Sequence, residues 1–335
     1  MKVHFIAIGG SAMHNLAIAL CQKGIHVSGS DDEIFDPART RLAQHGLLPD
    51  GEGWRPERIT PDLDAVVLGM HARADNPELL RAQELGIRIY SYPEYLYEQS
   101  KDKTRIVVGG SHGKTTTTAM ILHVLRHLGI EADYMVGAQL KGFDVMVRLS
   151  DTARVMVIEG DEYLTSPIDR RPKFHLYHPH VGIITGIEWD HINVFPTFDI
   201  YRAQFARFAD LIEPGGTLVY CDEDPEVQRV AAECTRTDLA RLPYRCPDHT
   251  VSHGITYLGP GRVPLKIFGH HNLLNLTAAR LACRQLGVDD AQFDRAIQSF
   301  EGASKRLELV KATDSCAAYK DFAHAPSKLR ATIAA

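Results

Sequence analysis

The sequence predicts an α/β fold built from mostly parallel sheets with helices packed on them. Over most of the 335 residues, short apolar runs typical of strands alternate with stretches that have the apolar spacing of helices. Two of these strands also lead directly into glycine-containing turns that begin a helix, at AIGGSAM (7–13) and GGSHGKTTTT (109–118). The length exceeds that of one small core, so we expect two or three domains.

Composition narrows the possible functions. Lys and Arg number 37 and Asp and Glu 42, which gives a net charge of −5 and no basic surface that would favour nucleic acid. The longest apolar runs, such as VMVIEG (155–160) and VGIITGI (181–187), are too short to span a bilayer. MKVHFIAIGG (1–10) has the pattern of a buried strand and not of a signal peptide. We therefore expect a cytoplasmic protein without membrane insertion.

The cysteines and histidines do not form a recognisable zinc pattern. Six cysteines lie at 21, 221, 234, 246, 283 and 316 without a CxxC pair, which favours reduced thiols over disulfides. Three histidines in FHLYHPHVG (174–182) have no cysteine or carboxylate close by in the sequence. We expect these three histidines at the surface or at strand edges.

The first unit is predicted to cover about 100 residues. Its strands are KVHFIAI, IHVSGS, DAVVLG and IRIYSY, its helices are expected at about 12–23, 36–45 and 77–86, and a polar linker follows, EQSKDK (98–103). Asp31 ends the second strand, 22 residues after Gly9 in the first turn. This spacing is similar to a dinucleotide-binding fingerprint, but Ala7 and Ala12 replace two of its glycines. The turn predicts a pyrophosphate at the helix N-terminus without implying NAD.

The second unit begins with the strand TRIVVGG, which leads into the loop GSHGKTTTT and a helix over 113–128. Backbone N–H groups at Gly110 and Gly113 can surround a phosphate, and Lys114 can reach its outer oxygens. The hydroxyl of a threonine after the lysine can bind Mg²⁺. Val108 stands where the usual eight-residue pattern has glycine, but the shorter form is intact. The alternative, an accidental Gly-Lys-Thr turn, is disfavoured by the strand before it and the helix after it.

Further elements follow in the same alternation. The pattern predicts strands at ARVMVIEG and VGIITGI, helices at 199–212 and 270–287, a hairpin region at TYLGPGRVPLKIFG (256–269), and a final strand–strand–helix pattern in LELVKATDSCAAYKDFAHAPSKLRATIAA (307–335). Because the chain stops inside an apparent helix, we expect a truncated third domain.

Acidic residues and one histidine follow two of the predicted strands. Glu159 ends the first of them and is closely followed by Asp161 and Glu162, and the second ends in EWDH (188–191). The carboxyl ends of parallel strands meet at one edge of a sheet, where α/β proteins bind ligands. Either cluster alone could be a helix N-cap. Together with the phosphate loop, they predict a metal site, because a bound metal needs further oxygen or nitrogen ligands.

These motifs in this order resemble the Mur ligase family, the ATP-dependent amide-forming enzymes of peptidoglycan assembly. The resemblance covers essentially the whole chain and is carried by IGGSAM (8–13), SGSD (28–31), NPE (76–78), GSHGKTTTT (110–118), EGDEY (159–163), EWDH (188–191), GHHNLLN (269–275), ASKRLE (303–308) and YKDFAHAP (319–326). So many ordered motifs exclude a chance match.

The resemblance implies a domain plan. A Rossmann-like UDP-sugar-binding domain would occupy residues 1–100. A central P-loop ATP-binding domain with a mostly parallel sheet would occupy residues 101–303. Residues 304–335 would be the start of a truncated Rossmann-like domain that binds the amine substrate. The implied cofactors are ATP and Mg²⁺. The implied partners are UDP-N-acetylmuramate and a peptide or amino acid, and the implied assembly is a monomer or weak dimer.

The resemblance also implies roles for individual residues. Lys114, Glu159 and His191 would be catalytic, and the metal ligands would be Thr115, Glu159 and His191. ATP would be bound by Gly110, Ser111, His112, Gly113, Lys114, Thr115, Thr116, His271, Asn272, Asn275, Arg306 and Asp321. The UDP-sugar would be bound by Gly10, Ser11, Ala12, Met13, Asp31 and Asn76.

Two features distinguish branches of the family. Residues 161–179 and DFAHAP most resemble the branch that joins recycled L-Ala-γ-D-Glu-meso-diaminopimelate to UDP-N-acetylmuramic acid, and the branch that adds L-alanine is the alternative. Some other branches carry a carbamylated lysine in the helix after the Asp-His motif. Here Phe205 is near that place and 174–265 contains no lysine. This favours the part of the family without that lysine, which includes both candidate branches. Ala325 replaces the second histidine of a common His-His-Pro motif.

Three functions from other classes remain. A regulatory NTPase shares the phosphate loop, but the chain has no N-K-x-D guanine motif. A nicotinamide oxidoreductase would depend on the first turn alone and leave the second phosphate loop without a purpose. A non-catalytic nucleotide-binding scaffold is the third, because a chain that lacks its third domain is expected to bind ATP and UDP-sugar and form little amide.

Overall fold

The computed structural model describes residues 1–138, 143, 145–303, 306–313, 316–323 and 326–335. In this part of the chain, two larger sheets, one parallel and one mostly parallel, carry the helices on their faces, and two small antiparallel sheets follow. The α/β fold predicted from the sequence is confirmed. Ala325 and two residues of the predicted hinge, Ser304 and Lys305, lie outside the described residues.

The first sheet has four parallel strands in the order β2-β1-β3-β4. Its strands are β1 (Lys2–Ile6), β2 (His26–Ser30), β3 (Ala65–Leu68) and β4 (Ile89–Ser91), and its helices are α1 (Ser11–Gln22), α2 (Ala38–Gln44), α3 (Pro77–Glu84) and α4 (Tyr92–Glu98). The predicted strands and the first three helices are confirmed. The strand prediction ran through Tyr92, where α4 begins. Ser91 and Glu94 form a capping box there, and Pro93 lies in the first turn, where its missing N–H costs nothing.

The second sheet has seven strands in the order β11-β10-β9-β5-β8-β6-β7, and only β7 is antiparallel to its neighbour. Its strands are β5 (Thr104–Gly109), β6 (Ala132–Met135), β7 (Val147–Arg148), β8 (Val155–Glu159), β9 (Val181–Ile184), β10 (Thr217–Cys221) and β11 (Ala240–Tyr244). Its helices are α5 (Lys114–His127), α6 (Phe198–Asp210), α7 (Pro225–Glu233), α8 (His270–Arg284) and α9 (Asp290–Ile297). The predicted strands at β5, β8 and β9 and the predicted helices at α5, α6 and α8 are confirmed.

Two small sheets complete the described chain. The first is an antiparallel sheet of β12 (His249–Ser252), β13 (Ile255–Leu258) and β14 (Val263–Leu265), which confirms the predicted hairpin region and adds one strand to it. The second pairs β15 (Glu308–Ala312) with β16 (Ala317–Lys320) and precedes α10 (Pro326–Ile333). The predicted strand–strand–helix pattern is therefore confirmed.

The centre of the large sheet determines where ligands can bind. Ile106, Val107 and Val108 of β5 are fully buried, as expected for a parallel strand covered by helices on both faces. Strands β8 and β9 flank β5. The residues that follow these three strands therefore meet at one edge of the sheet, where the predicted site residues lie.

A buried arginine fixes the linker between the two sheets. The Arg105 guanidinium donates to the carbonyl oxygens of Ser100 and Lys101 at 3.0 and 2.8 Å and to the carboxylate of Glu213 at 2.7 Å. A buried charge needs such partners, so the path of the linker is set by this side chain. None of the described helices is long and apolar enough to cross a membrane.

His175 corrects the expectation for the three histidines. It is buried, its ring stacks on Phe174, and its Nε2 lies 2.8 Å from the carbonyl oxygen of Gln204 in α6. His178 and His180 are partly exposed. The placement of His175 follows from packing against α6, which the local sequence does not reveal.

Candidate active site

The phosphate loop lies between the central strand β5 and helix α5. Gly110 has a φ of +135° and Gly113 a φ of +77°, values that a side chain disfavours. A Cβ on Gly110 would collide with the hydroxyl of Thr185, and a Cβ on Gly113 with the amide oxygen of Asn275. At both positions glycine is therefore required for two reasons: the positive φ of the backbone and the lack of space for a Cβ beside the neighbouring residues. Within the described chain, no side chain caps the N-terminus of α5, so its first N–H groups face the loop.

One cavity of about 390 Å³ collects most of the predicted site. Every residue predicted to contact ATP lines this cavity except Gly110, and Glu159 and His191 line it too. The cavity also contains Glu162, which the sequence interpretation named in an acidic cluster without assigning it a separate role, and Thr185 and Thr332, which it did not select. Glu162 and Thr185 follow β8 and β9, so the strand order brings them to the edge of the large sheet beside β5, whereas Thr332 lies in α10.

Lys114 is held by a buried carboxylate. Its Nζ lies 2.8 Å from Oε2 of Glu162 and also donates to the carbonyl oxygen of Gly110. Burial opposes the charge on Lys114, but the attraction of Glu162 outweighs it and raises the pKa of the ammonium. Burial likewise opposes ionisation of Glu162, but Lys114 and the contact with His191 lower its pKa. The two groups therefore form a charged pair.

Thr115 and Glu159 form the predicted metal side of the cavity. The Thr115 hydroxyl donates to Oε1 of Glu159 at 2.8 Å, and the N–H of Gly137 donates to Oε2 at 2.8 Å. Burial raises the pKa of Glu159, although both hydrogen bonds favour its charged form. A hydroxyl and a carboxylate side by side are the oxygen donors that Mg²⁺ prefers, so these residues fit a magnesium ion.

His191 lies close to two acidic residues, Asp161 and Glu162. Its Nε2 is 3.6 Å from Oε1 of Glu162, and this contact raises the pKa of the imidazole. Ligand atoms of Asp161, Glu162 and His191 lie within 4.8 Å of one another, a grouping that could hold a metal ion. The structure thus pairs Thr115 with Glu159 and pairs His191 with Glu162. Glu162 is the second acid after the strand in EGDEY, which is the sequence signal that could have selected it.

The N-terminus of α8 forms another wall of the cavity. Asn272 and Asn275 are buried, and His271 is partly buried, which lowers its pKa. The Asn272 amide donates to the carbonyl oxygen of Phe268 at 2.8 Å, so one of its groups serves the helix itself. Asn275 lies against the phosphate loop at Gly113. The two asparagines are therefore in different environments on adjacent turns.

Arg306 and Asp321 bring the last part of the chain to the same cavity. The Asp321 carboxylate accepts from the N–H groups of Leu307 and Ala323 at 2.8 and 2.7 Å, and the Arg306 guanidinium lies over the ring of Phe322. These contacts tie the segments on either side of the β15–β16 pair to each other. Both predicted residues therefore line the cavity and also organise the segment that carries them.

The predicted sugar-nucleotide residues lie in the first unit. Gly10 is the N-cap of α1, Ser11 and Ala12 are exposed, and among the described residues no side chain caps this helix. Asp31 accepts from the N–H of Gly9 at 2.6 Å, and burial raises its pKa to about 7.

Asn76 has a local structural task. Its side-chain oxygen accepts from the N–H groups of Glu78 and Leu79 and so caps α3. Phe205, near the place where other branches carry a carbamylated lysine, is fully buried and packs on Phe174, so this position has a structural role here.

Comparisons with known proteins agree with this architecture. The family model of the Mur ligase middle domain matches residues 108–283. A second family model, described as "Mur ligase family, catalytic domain", matches residues 2–104. A UDP-N-acetylmuramate–L-alanine ligase from Carboxydothermus hydrogenoformans is 31% identical over 347 residues, which cover 100% of this chain and 73% of the relative.

Two solved structures are similar. The UDP-N-acetylmuramate:L-alanyl-γ-D-glutamyl-meso-diaminopimelate ligase from Neisseria meningitides has a TM-score of 0.78 at 27% identity, covering 89% of this chain and 98% of that one. A murein peptide ligase from Psychrobacter arcticus has a TM-score of 0.79 at 25% identity, covering 99% and 75%. The chain therefore belongs to the Mur ligase family, and it is an ATP-dependent ligase that forms amide bonds.

Proposed function

We propose that the chain joins the peptide L-Ala-γ-D-Glu-meso-diaminopimelate to the lactyl carboxylate of UDP-N-acetylmuramate with ATP, in peptidoglycan recycling. The observation that carries the chemistry is the single cavity that contains Lys114, Thr115, Glu159 and His191. Support for the peptide as amine substrate comes from two similar structures, which are peptide ligases by their descriptions.

The reaction consists of two transfers. One oxygen of the lactyl carboxylate attacks the γ-phosphorus of ATP, the bond to the β,γ-bridging oxygen breaks, and ADP leaves. The product is an acyl phosphate, which has a good leaving group where the carboxylate had none. The unprotonated amine attacks the acyl carbon, the tetrahedral intermediate expels phosphate, and the nitrogen gives its proton to the phosphate as the amide forms.

Charge neutralisation is the main demand of the first transfer, because triphosphate and carboxylate repel each other. Lys114 lies at the first turn of α5, where N–H groups and an ammonium together face the cavity. Thr115 and Glu159 would hold Mg²⁺ beside the phosphates, and His191 would hold a second ion toward the acceptor carboxylate. A magnesium ion supplies Lewis-acid stabilisation of the phosphoryl oxygens. His271, Asn272 and Asn275 would contact the adenine side of ATP, and Arg306 and Asp321 would complete its site.

The acceptor would be held by the first unit. The N-terminus of α1 presents the backbone N–H groups of Ser11, Ala12 and Met13, which suit the diphosphate of a UDP-sugar. Asp31 and Asn76 would lie beside it. We place the sugar-nucleotide domain at 1–100, the ATP domain at 101–303 and the start of the amine domain at 304–335.

L-Alanine is the second candidate for the amine substrate. It is favoured by the relatives that match the whole chain at 31–32% identity, which are described as UDP-N-acetylmuramate–L-alanine ligases. Both candidates use the same acceptor and the same first transfer. They differ only in the amine.

A phosphate-release assay distinguishes the two amines. The full-length protein is given ATP, Mg²⁺ and UDP-N-acetylmuramate with either the tripeptide or L-alanine, and we expect phosphate release that depends on the tripeptide. Release with L-alanine at a higher kcat/KM would assign the chain to the alternative.

Lys114→Ala is expected to lower the rate by about 1,000-fold or more, by analogy with other cations that stabilise phosphoryl transfer. Full activity of that variant would refute the proposed mechanism.

A further inference from the structure

A buried chain of hydrogen bonds runs beneath the phosphate loop. The N–H of Glu188 lies 2.9 Å from the hydroxyl oxygen of Ser111, which lies 2.8 Å from the hydroxyl oxygen of Tyr201. The Tyr201 hydroxyl in turn lies 3.1 Å from Oε1 of Glu162. Ser111, Tyr201 and Glu162 are all buried, so solvent does not compete for these bonds.

The chemistry of the two ends fixes the direction of the chain. A backbone N–H can only donate, and an ionised carboxylate can only accept. Tyr201 must therefore donate its proton to Glu162 and accept from the hydroxyl of Ser111, which accepts from Glu188. Hydrogen bonds aligned in one direction polarise one another, which strengthens the last bond to the carboxylate.

Glu162 is the residue that this chain controls. Its two oxygens face different groups: Oε2 lies 2.8 Å from Nζ of Lys114, and Oε1 lies 3.6 Å from Nε2 of His191. The position of one carboxylate therefore influences the positions of both side chains. Tyr201 comes from α6 and approaches Glu162 from outside the cavity, since it is not among the cavity's lining residues.

We propose that Tyr201 is a positioning residue for the ligase reaction, which acts by holding Glu162 in the orientation that places Lys114 and His191. This inference rests on the proposed roles of Lys114 and His191. The family resemblance drew attention to α6 only through a lysine that this chain lacks there. In this chain Tyr201, in the first turn of α6, contacts Glu162 of the site.

The aromatic ring of Tyr201 has a packing role that a phenylalanine preserves. Its ring lies 5.3 Å from the rings of both Phe195 and Phe205. Tyr201→Phe therefore removes the hydroxyl without opening a cavity. Tyr177→Phe is a matched control, because Tyr177 is fully buried and its hydroxyl has no hydrogen-bond partner in the described part of the chain.

The test measures kcat and KM of the full-length protein with UDP-N-acetylmuramate, ATP and the amine that the wild type accepts. A hydrogen bond to a charged group is lost in Tyr201→Phe, so we expect kcat/KM to fall about 10- to 100-fold. Tyr177→Phe is expected to change kcat/KM by less than about 3-fold. The melting temperature of Tyr201→Phe should be the lower of the two, because only this variant takes hydrogen-bond partners from the buried Ser111 and Glu162, so the kinetics are compared at a temperature where both variants are folded.

A double-mutant cycle shows whether Tyr201 acts through Glu162. Glu162→Gln alone is expected to lower kcat/KM, and adding Tyr201→Phe should change the remaining activity by less than about 3-fold. Independent, multiplicative effects would overturn the proposal, and so would equal kinetics of Tyr201→Phe and Tyr177→Phe. Unimpaired activity of Glu162→Gln would also overturn it. An active Lys114→Ala variant would refute the proposed function itself, so the two failures are distinguishable.

Discussion

Glu162 contacts the Lys114 ammonium and the His191 imidazole at once, and it does so in a fully buried position. An isolated carboxylate in such a place would be neutral, because burial penalises charge. The attraction of Lys114 and the contact with His191 reverse that preference. Removing Lys114 would therefore leave a buried charge without its ion-pair partner, which is costly beyond the loss of the contact itself.

Gly113 provides a prediction at the same scale. Gly113→Ala forces a side chain onto a backbone with a φ of +77° and into the amide of Asn275. We expect the variant to lose about 1–2 kcal/mol of stability from the backbone strain. We also expect the KM for ATP to rise at least about 10-fold, because the phosphate loop and α8 must separate. Kinetics and thermal melting measure the two effects.

Gly129→Ala is the control for Gly113→Ala. Gly129 has a φ of +70°, but a Cβ there would meet no atom within 4 Å. Its stability should fall by a similar amount while the KM for ATP stays unchanged. An equal KM in both variants would show that the contact with Asn275 does not matter for nucleotide binding.

The residues that could be predicted are those whose role follows from a short motif of neighbouring residues. Gly110, Gly113 and Lys114 follow from one short motif. Tyr201 could not be selected in this way, because its contact with Glu162 joins residues 39 positions apart and depends on how α6 packs. Gly137 is a further example, since its N–H reaches Glu159 only after β6 has joined the sheet.

At the scale of elements, the central strands were predictable and the outer ones were not. Strands β5 and β8 each contain an unbroken apolar run, at 106–108 and 155–158, because helices cover both faces of the sheet there. The outer strand β11 reads ARLPY and is mostly exposed, so its pairing with β10 defines it more than its composition does. Helix α9 was missed although its start carries a capping box of Asp289 and Gln292, a signal that was available in the sequence.

The short 3₁₀ turn over Lys173–Leu176 packs on α6 through His175, and this contact predicts a pH dependence. Burial, with repulsion from Arg207 and Arg171, lowers the pKa of His175 to about 4, although the Gln204 carbonyl favours the protonated form. Below pH 6.5 the unfolded chain binds a proton at this histidine and the folded chain does not. Stability is therefore lost as the pH falls from about 6.5 toward about 4, by at most about 3 kcal/mol.

Thermal melting between pH 7 and pH 4.5 tests this contribution. His175→Gln keeps a donor for the Gln204 carbonyl and cannot take up a proton, so its melting temperature should fall less on acidification than that of the wild type. His26→Gln, which changes an exposed histidine, should follow the wild type. If His175→Gln and the wild type lose the same amount, the buried histidine does not contribute to acid sensitivity.

At the scale of the molecule, the two sheets must keep their ligand-binding edges in a fixed relation. Asn15 of α1 is fully buried, and its side chain joins the first unit to the second. Its Oδ1 accepts from the N–H of Met146 at 3.1 Å, just before β7. On the other side, its Nδ2 donates to the carbonyl oxygen of Ser11 at 2.7 Å, in the turn proposed to bind the sugar nucleotide.

Asn15→Ala should therefore affect both stability and the acceptor substrate. The N–H of Met146 loses its side-chain acceptor in a partly buried place, which costs about 1 kcal/mol and lowers the melting temperature. Because the first turn of α1 loses its connection to the ATP unit, we expect the KM for UDP-N-acetylmuramate to rise while binding of ATP alone changes little. Lys23→Ala removes a contact between the same two units, the 3.0 Å ion pair with the exposed Asp151, and should cost less than about 1 kcal/mol. If the two variants have equal melting temperatures and equal KM values, the orientation of the units does not depend on the buried asparagine.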